Sequence, residues 1–211
     1  MSQRFPHPAG HTGPIRRTAG VCAAVLLLLG VTSAAAGDDD VRRYVEESRK
    51  ASLQILQQIR GELARELEAS GPLRAVIVCK YVAPEITSGV SRKTGWRVTR
   101  VSLRPRNPAL GAADAWEQRV LADFEQRQAR GEKAETLEQH EVVTEPAGRY
   151  FRYMRAITML PACVACHGPG EGLTEATKAQ ILAEYPHDKG FGYTMGQVRG
   201  AVTVKRLLGA P

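Results

Sequence analysis

The chain of 211 residues is poor in several sequence features that identify particular classes of proteins. It contains four cysteines and 6% aromatic residues, and it has no internal repeat and no low-complexity tract. The absence of a repeat excludes solenoid architectures, and a hydrophobic content of 43% excludes a largely disordered chain. The length suffices for one domain with a sizeable core and is too short to favour two.

Clustered basic charge is also absent. Three of the 29 Lys and Arg residues and none of the acidic residues lie before residue 37, which leaves 26 basic and 22 acidic residues in the remainder. In that remainder the two signs are interleaved, whereas nucleic-acid binding requires a concentrated basic face. We therefore expect no nucleic-acid partner.

The first 36 residues have the pattern of an export signal. A basic opening ends at Arg16-Arg17, an apolar run covers residues 21–31, and small residues lead to a cleavage position near Ala36. This pattern predicts a periplasmic or otherwise exported protein, with Cys22 as a small apolar residue of the signal. Residues 18–37 are uncharged and long enough to span a bilayer. An uncleaved membrane anchor is therefore the alternative, and only in that case would the protein contact a membrane.

The periodicity of the remaining residues predicts an α+β domain. Apolar residues recur every three or four positions over residues 38–70, which predicts a long amphipathic helix that ends at Ser70-Gly71-Pro72. Residues 75–79 are a short apolar, partly β-branched run, and we interpret them as a buried strand that Val82-Ala83-Pro84 ends. Further helices are predicted at residues 112–130 and 175–185, and further strands at residues 96–103, 140–144, 149–159 and 200–205. Strands separated by helices, with one hairpin, indicate a mostly antiparallel sheet.

The C-x-x-C-H motif at residues 163–167 is the part of the sequence that indicates a specific chemistry. This motif is the signature of c-type haem attachment. The thiols of Cys163 and Cys166 add to the two vinyl groups of one haem, and the adjacent His167 ligates the iron. Export agrees with this interpretation, because c-type haem is attached outside the cytoplasm.

Other uses of the two thiols fit the sequence less well. A C-x-x-C pair can form a disulfide or half of a zinc site, but zinc needs two more ligands, and the sequence has no second Cys or His pair. A thioredoxin-like pair begins a helix in a βαβ unit, whereas Gly168-Pro169-Gly170 follows this motif and predicts a loop.

The residue types do not decide which side chain binds the iron opposite His167, since Met and His are the usual donors. The remaining thiol, Cys79, is a further candidate in a compartment that oxidises stray thiols. The alternatives that stay open are Cys79, His140, His187, Met154, Met159 and Met195.

Several stretches are similar to the PAS-like c-type haem domain family, a group largely of unknown function that includes a soluble cyanobacterial haem protein. The matching residues are 78–80, 83–85, 95–108, 116–117, 161–168, 185–186, 188–189, 192–193 and 196–201. The resemblance implies a PAS-like antiparallel sheet with flanking helices and a long N-terminal helix, over residues 37–211. It also implies axial ligation by the motif histidine and an upstream cysteine, which are His167 and Cys79 here. His187 falls where the family pattern asks for no ligand.

These features together predict a protein of redox chemistry or of redox or gas sensing, with an unknown redox or signalling partner. Thiolate ligation favours ferric iron and lowers the reduction potential. A small periplasmic electron carrier is the alternative. A peroxidase-type enzyme fits less well, because Cys79 would fill the position that turnover requires. Four arginines (Arg97, Arg100, Arg104 and Arg106) could pair with haem propionates, but we interpret each as solvated surface charge.

Overall fold

The computed structural model describes residues 37–209. The export signal or anchor and Cys22, both predicted from the sequence, lie outside the described residues. Within residues 37–209, none of the helices combines the length and the apolar character needed to cross a membrane.

A four-stranded antiparallel sheet forms the centre of the domain. Its strands are β1 (Arg97–Val101), β2 (Glu138–Glu145), β3 (Gly148–Thr158) and β4 (Val198–Leu207), in the spatial order β1-β4-β3-β2. A two-residue turn joins β2 to β3, where Glu145 pairs with Gly148. The sequence predicts these four strands, although β2 and β4 are longer than expected.

Helix α1 (Asp38–Ile77) covers one face of the sheet. Its predicted apolar stripe is buried, and Ile55 and Leu56 join Phe151, Tyr153 and other residues of the sheet in one core cluster. At Ser70-Gly71-Pro72, where the sequence predicts the end of this helix, the structure has a kink, because Gly71 has φ 75° and ψ −178°. Pro72 follows, and the chain then returns to helix.

Residues 75–79 are helical, so the predicted strand that ends at Cys79 is wrong. Helix α1 continues into a π-helical segment (Val78–Val82) and then into α2 (Ala83–Thr94), which the sequence pattern did not indicate. Pro84 lies in the first turn of α2 rather than after a strand. Proline cannot donate to the carbonyl four residues earlier and its ring clashes with that carbonyl, and the wider π turn relieves this conflict.

Helix α4 (Ala115–Ala129) covers the opposite face of the sheet, as its predicted stripe requires. Trp116, Leu121 and Phe124 pack with Met154 and other sheet residues in a second core cluster. Alternate strand residues point to opposite faces, so β3 supplies both clusters. The remaining helices are α3 (Pro108–Gly111), α5 (Pro161–His167) and α6 (Glu175–Glu184), with 3-10 turns at Ala134–Thr136 and Gly170–Gly172.

Candidate functional site

A cavity of about 690 Å³ brings together the residues that the sequence singles out. Cys79, Cys163, Cys166 and His167 all line it. Its volume falls within the range of about 300–1,000 Å³ that is typical of sites for small molecules and cofactors. The walls come from α1, the π-helical segment, β1 and α5, so the cavity is formed by segments that are far apart in the sequence.

The C-x-x-C-H motif lies on the short helix α5, which begins at Pro161. Proline is favoured at this position because the first turn of a helix needs no donor from it. Residues three and four apart share a helix face, so Cys163, Cys166 and His167 point in related directions. The helix ends at Gly168, where a Cβ atom would lie only 2.6 Å from the Val164 carbonyl oxygen. A glycine after the motif is therefore a steric requirement.

The imidazole of His167 is oriented by a backbone carbonyl. Its Nδ1 atom lies 2.7 Å from the oxygen of Gly190. A carbonyl can only accept, so Nδ1 carries the hydrogen and the lone pair is on Nε2, the nitrogen that can bind a metal. Burial, and then the positive charges of Arg199 and Arg106, lower the pKa of His167 well below its usual range. The ring is consequently neutral at physiological pH, as a metal ligand must be.

Cys79 is half-buried in the π-helical segment. Burial raises the pKa of its thiol, and the nearby Arg100 and Arg106 act in the opposite direction. A second thiol, that of Cys166, has its pKa raised to about 11, again mainly by burial. The three cysteines of residues 37–209 are all free, so the C-x-x-C thiols are not joined in a disulfide.

The other candidate iron ligands do not line the cavity. Met154 and Met159 are buried in the protein core, whereas His140, His187 and Met195 are exposed. Of the candidates that the sequence left open, only Cys79 lies with His167 at this cavity.

The four clustered arginines differ from one another, and the interpretation as solvated charge is wrong for Arg106. That side chain is 7% exposed, its Nε atom lies 2.9 Å from Asp188 Oδ2, and it donates to the Cys166 carbonyl at 2.6 Å. Arg100 is half-buried and Arg97 is exposed, and both line the cavity, whereas Arg104 is exposed and does not line it.

Three residues around His167 have no assigned role in the sequence predictions: Asp188, Gly190 and Arg199. Asp188 Oδ1 accepts the backbone N–H of Gly190 at 2.6 Å, and Arg199 Nε lies 3.2 Å from His167 Nδ1. Asp188 and Arg199 belong to the stretches that resemble the haem family. That resemblance was the available signal, but it assigns these two positions no contact with the histidine.

Comparisons with known proteins give a family and a similar solved structure. A family model described as Tll0287-like matches residues 36–206. The crystal structure of the cyanobacterial haem protein Tll0287 matches with a TM-score of 0.60 and 24% sequence identity, covering 79% of this chain and 96% of that chain. No curated protein matches.

At 24% identity the likeness between the two structures concerns the fold. It confirms the predicted α+β domain with a long N-terminal helix. The family match extends over most of the chain and confirms the resemblance seen in the sequence. The chain therefore belongs to the Tll0287-like family.

Proposed function

We propose that the protein is an exported c-type haem protein. In this proposal Cys163 and Cys166 form the two thioether links to one haem, and His167 and Cys79 are the axial ligands of its iron. The observation that carries the proposal is that these four residues line the same cavity. The match to a structure described as that of a haem protein supports haem as the cofactor.

The chemistry of the cavity suits this cofactor. Leu56, Ile59 and Leu63 of α1 and Val98 of β1 supply apolar surface, and Arg100 supplies a cation. A porphyrin needs both kinds of surface, because it combines apolar faces with two carboxylates. The neutral imidazole of His167 and the thiol of Cys79 complete a donor set that suits iron.

Bound in this site, the haem would supply one-electron redox chemistry. The chain's own residues would set its character. A thiolate from Cys79 donates electron density and favours the ferric state, so we expect a potential below that of a Met/His cytochrome c. The Gly190 carbonyl keeps the hydrogen on Nδ1 of His167 and leaves Nε2 for the metal.

Redox or gas sensing is favoured by the position of Cys79. The residue lies in a π-helical segment between two helices, and such segments are frequent at functional sites. Loss of the Cys79 bond on reduction would free a coordination position for CO or NO. It would also release a segment that is continuous with α1.

A small electron carrier is the second candidate. Tyr81 and Leu110 line the cavity and are 59% and 60% exposed, so apolar surface reaches the solvent at its rim. A redox protein could exchange electrons across such a rim. A carrier would keep both axial ligands in both oxidation states, whereas a sensor would lose one.

Mass spectrometry tests the cofactor assignment. The protein, exported from a host with the c-type attachment machinery, is expected to have the mass of the processed polypeptide plus one haem. Cys79→Ala should remove the thiolate charge-transfer band of the ferric spectrum and raise the potential. His187→Ala is the matched control, because this exposed histidine lies outside the cavity, and its spectrum should equal that of the wild type. A bare polypeptide mass in the wild type would contradict the proposal.

Spectroelectrochemical titration with CO separates the two roles. CO binding to the reduced protein, with loss of the Cys79 signature, supports sensing. Two unchanged ligands and no CO complex support a carrier. A high-spin five-coordinate spectrum with peroxide turnover would indicate an enzyme instead.

A further inference from the structure

Arg199 and the Gly190 carbonyl approach the same atom of His167. The carbonyl oxygen lies 2.7 Å from Nδ1, and Arg199 Nε lies 3.2 Å from it. An imidazole nitrogen offers one position in the ring plane, either a hydrogen or a lone pair. Since the carbonyl can only accept, that position is taken by the hydrogen bond to Gly190. Arg199 therefore acts on the ring as a positive charge and not as a second hydrogen-bond donor.

The guanidinium of Arg199 is held firmly in this place. Its Nη1 donates to Ser102 Oγ at 2.8 Å and to the Arg104 carbonyl at 3.2 Å, and its Cζ lies 5.0 Å from the ring centroid of Tyr193. Among residues 37–209 no carboxylate lies within ion-pair distance of it, and the nearby Asp188 is paired with Arg106. The charge beside the imidazole is therefore held in place, and it forms no ion pair with a carboxylate of residues 37–209.

The surrounding backbone is shaped to admit this side chain. A Cβ atom at position 190 would lie 2.6 Å from Arg199 Nη2, so the guanidinium occupies the space that any other residue would fill. At position 200 a Cβ atom would lie 2.3 Å from the Val101 carbonyl oxygen. Two glycines thus set the position of Arg199 between β1 and the Gly190 segment.

We propose that Arg199 is a positioning residue that raises the reduction potential of the haem through His167. This inference rests on the function proposed above. Adding one electron lowers the charge at the iron by one unit, and a fixed cation next to the proximal ligand favours the less positive state. Arg199 thus offsets part of the decrease in potential that the Cys79 thiolate causes.

Potentiometry of the haem-loaded protein tests the proposal. We expect Arg199→Gln to reduce the equilibrium constant for one-electron reduction at least threefold, which corresponds to a potential about 28 mV lower, since tenfold is 59 mV for one electron. Arg199→Lys keeps the charge and should stay near the wild-type value. Arg206→Gln is the matched control. It removes the same charge from the same strand, at an end where Arg206 contacts Glu47 and Tyr44, and its potential should not change.

Equal potentials for Arg199→Gln and Arg206→Gln would overturn the inference, and so would a shift in Arg199→Lys as large as that in Arg199→Gln. If Arg199→Gln matures poorly, Ser102→Ala removes an anchor of the guanidinium and should lower the potential by a smaller amount, whereas an unchanged value would again overturn the inference. A wild-type protein without covalent haem would refute the proposed function itself. A haem-loaded protein with unshifted variants would refute only the role of Arg199.

Discussion

Asp188 offers a direct test of how the histidine side of the cavity is held together, because its carboxylate is buried against a cation. The side chains of Asp188 and Arg106 are 0% and 7% exposed, and Arg106 Nε lies 2.9 Å from Asp188 Oδ2. These two atoms are not aligned as a hydrogen bond, so their attraction is mainly Coulombic. The other oxygen, Oδ1, accepts the backbone N–H of Gly190 at 2.6 Å.

Asp188→Asn removes the charge and keeps an oxygen for the Gly190 N–H. With an effective dielectric constant of about 20, unit charges this close attract by roughly 6 kcal/mol. Relaxation reduces the cost of removing one partner of a buried pair to about 3–5 kcal/mol. We expect the free energy of unfolding to fall by that amount. At about 2–4 °C per kcal/mol for a domain of this size, Tm should fall by about 6–20 °C.

A double variant separates the lost ion pair from other effects. Arg106→Met combined with Asp188→Asn leaves no unpaired charge, so it should be more stable than Asp188→Asn alone. The remaining loss is the bond from Arg106 to the Cys166 carbonyl, which contributes about 1–3 kcal/mol. Urea unfolding followed by circular dichroism measures the wild type, both single variants and the double variant. This reasoning would be refuted if the effects of the two single substitutions on the free energy of unfolding simply added in the double variant. It would also be refuted if Asp188→Asn changed that free energy by less than about 1 kcal/mol.

Three further variants test the sheet and its contact with α1. Arg49 bonds to the Glu138 carboxylate and holds its pKa below the usual glutamate range, so the stabilisation exists above about pH 4.3 and is lost as pH falls through the lowered folded value. We expect Glu138→Gln to lower the free energy of unfolding by about 1–2 kcal/mol at pH 7. The urea midpoints of wild type and variant should approach each other below about pH 4. A difference in midpoint that stays constant with pH would contradict this. Gly200→Ala should cost at least about 2 kcal/mol in urea unfolding, because the new Cβ would meet the Val101 carbonyl. Gly61→Ala, at an open position within α1, should instead stabilise the protein by about 0.5–1 kcal/mol. If the two alanine substitutions had equal effects on stability, the close approach to the Val101 carbonyl would not be the reason for glycine at position 200.

The sequence predicted the elements whose signals are local and strong. The stripe of α1, the hairpin of β2 and β3, and the helix predicted at residues 112–130, which is α4, follow from periodicity and turn residues within a few positions. The failure at residues 75–79 has an equally local cause. A short apolar run fits a buried strand and a buried helix equally well, and packing of this segment against Leu63 and Ala162 selected the helix.

Pro84 is a second position at which the local sequence is compatible with two structures. Proline after an apolar run indicates the end of an element, but it is also favoured in the first turn of a helix. Only the π-helical turn before it, which relieves the clash of its ring with the preceding carbonyl, made the second outcome possible.

The sequence by itself determined the reactive groups and their spacing, because two thiols and an imidazole within five residues need only one turn of helix to share a face. Tertiary structure decided what surrounds them. Backbone hydrogen bonds from Gly192 and Tyr193 to Gly168 and His167 hold the segment before β4 against the motif, and Arg199 near the start of β4 lies beside His167. The helical course of residues 72–82 brings Cys79 to the same cavity. Such contacts join segments far apart along the chain, so their partners are selected by the packing of the whole core and not by any local pattern.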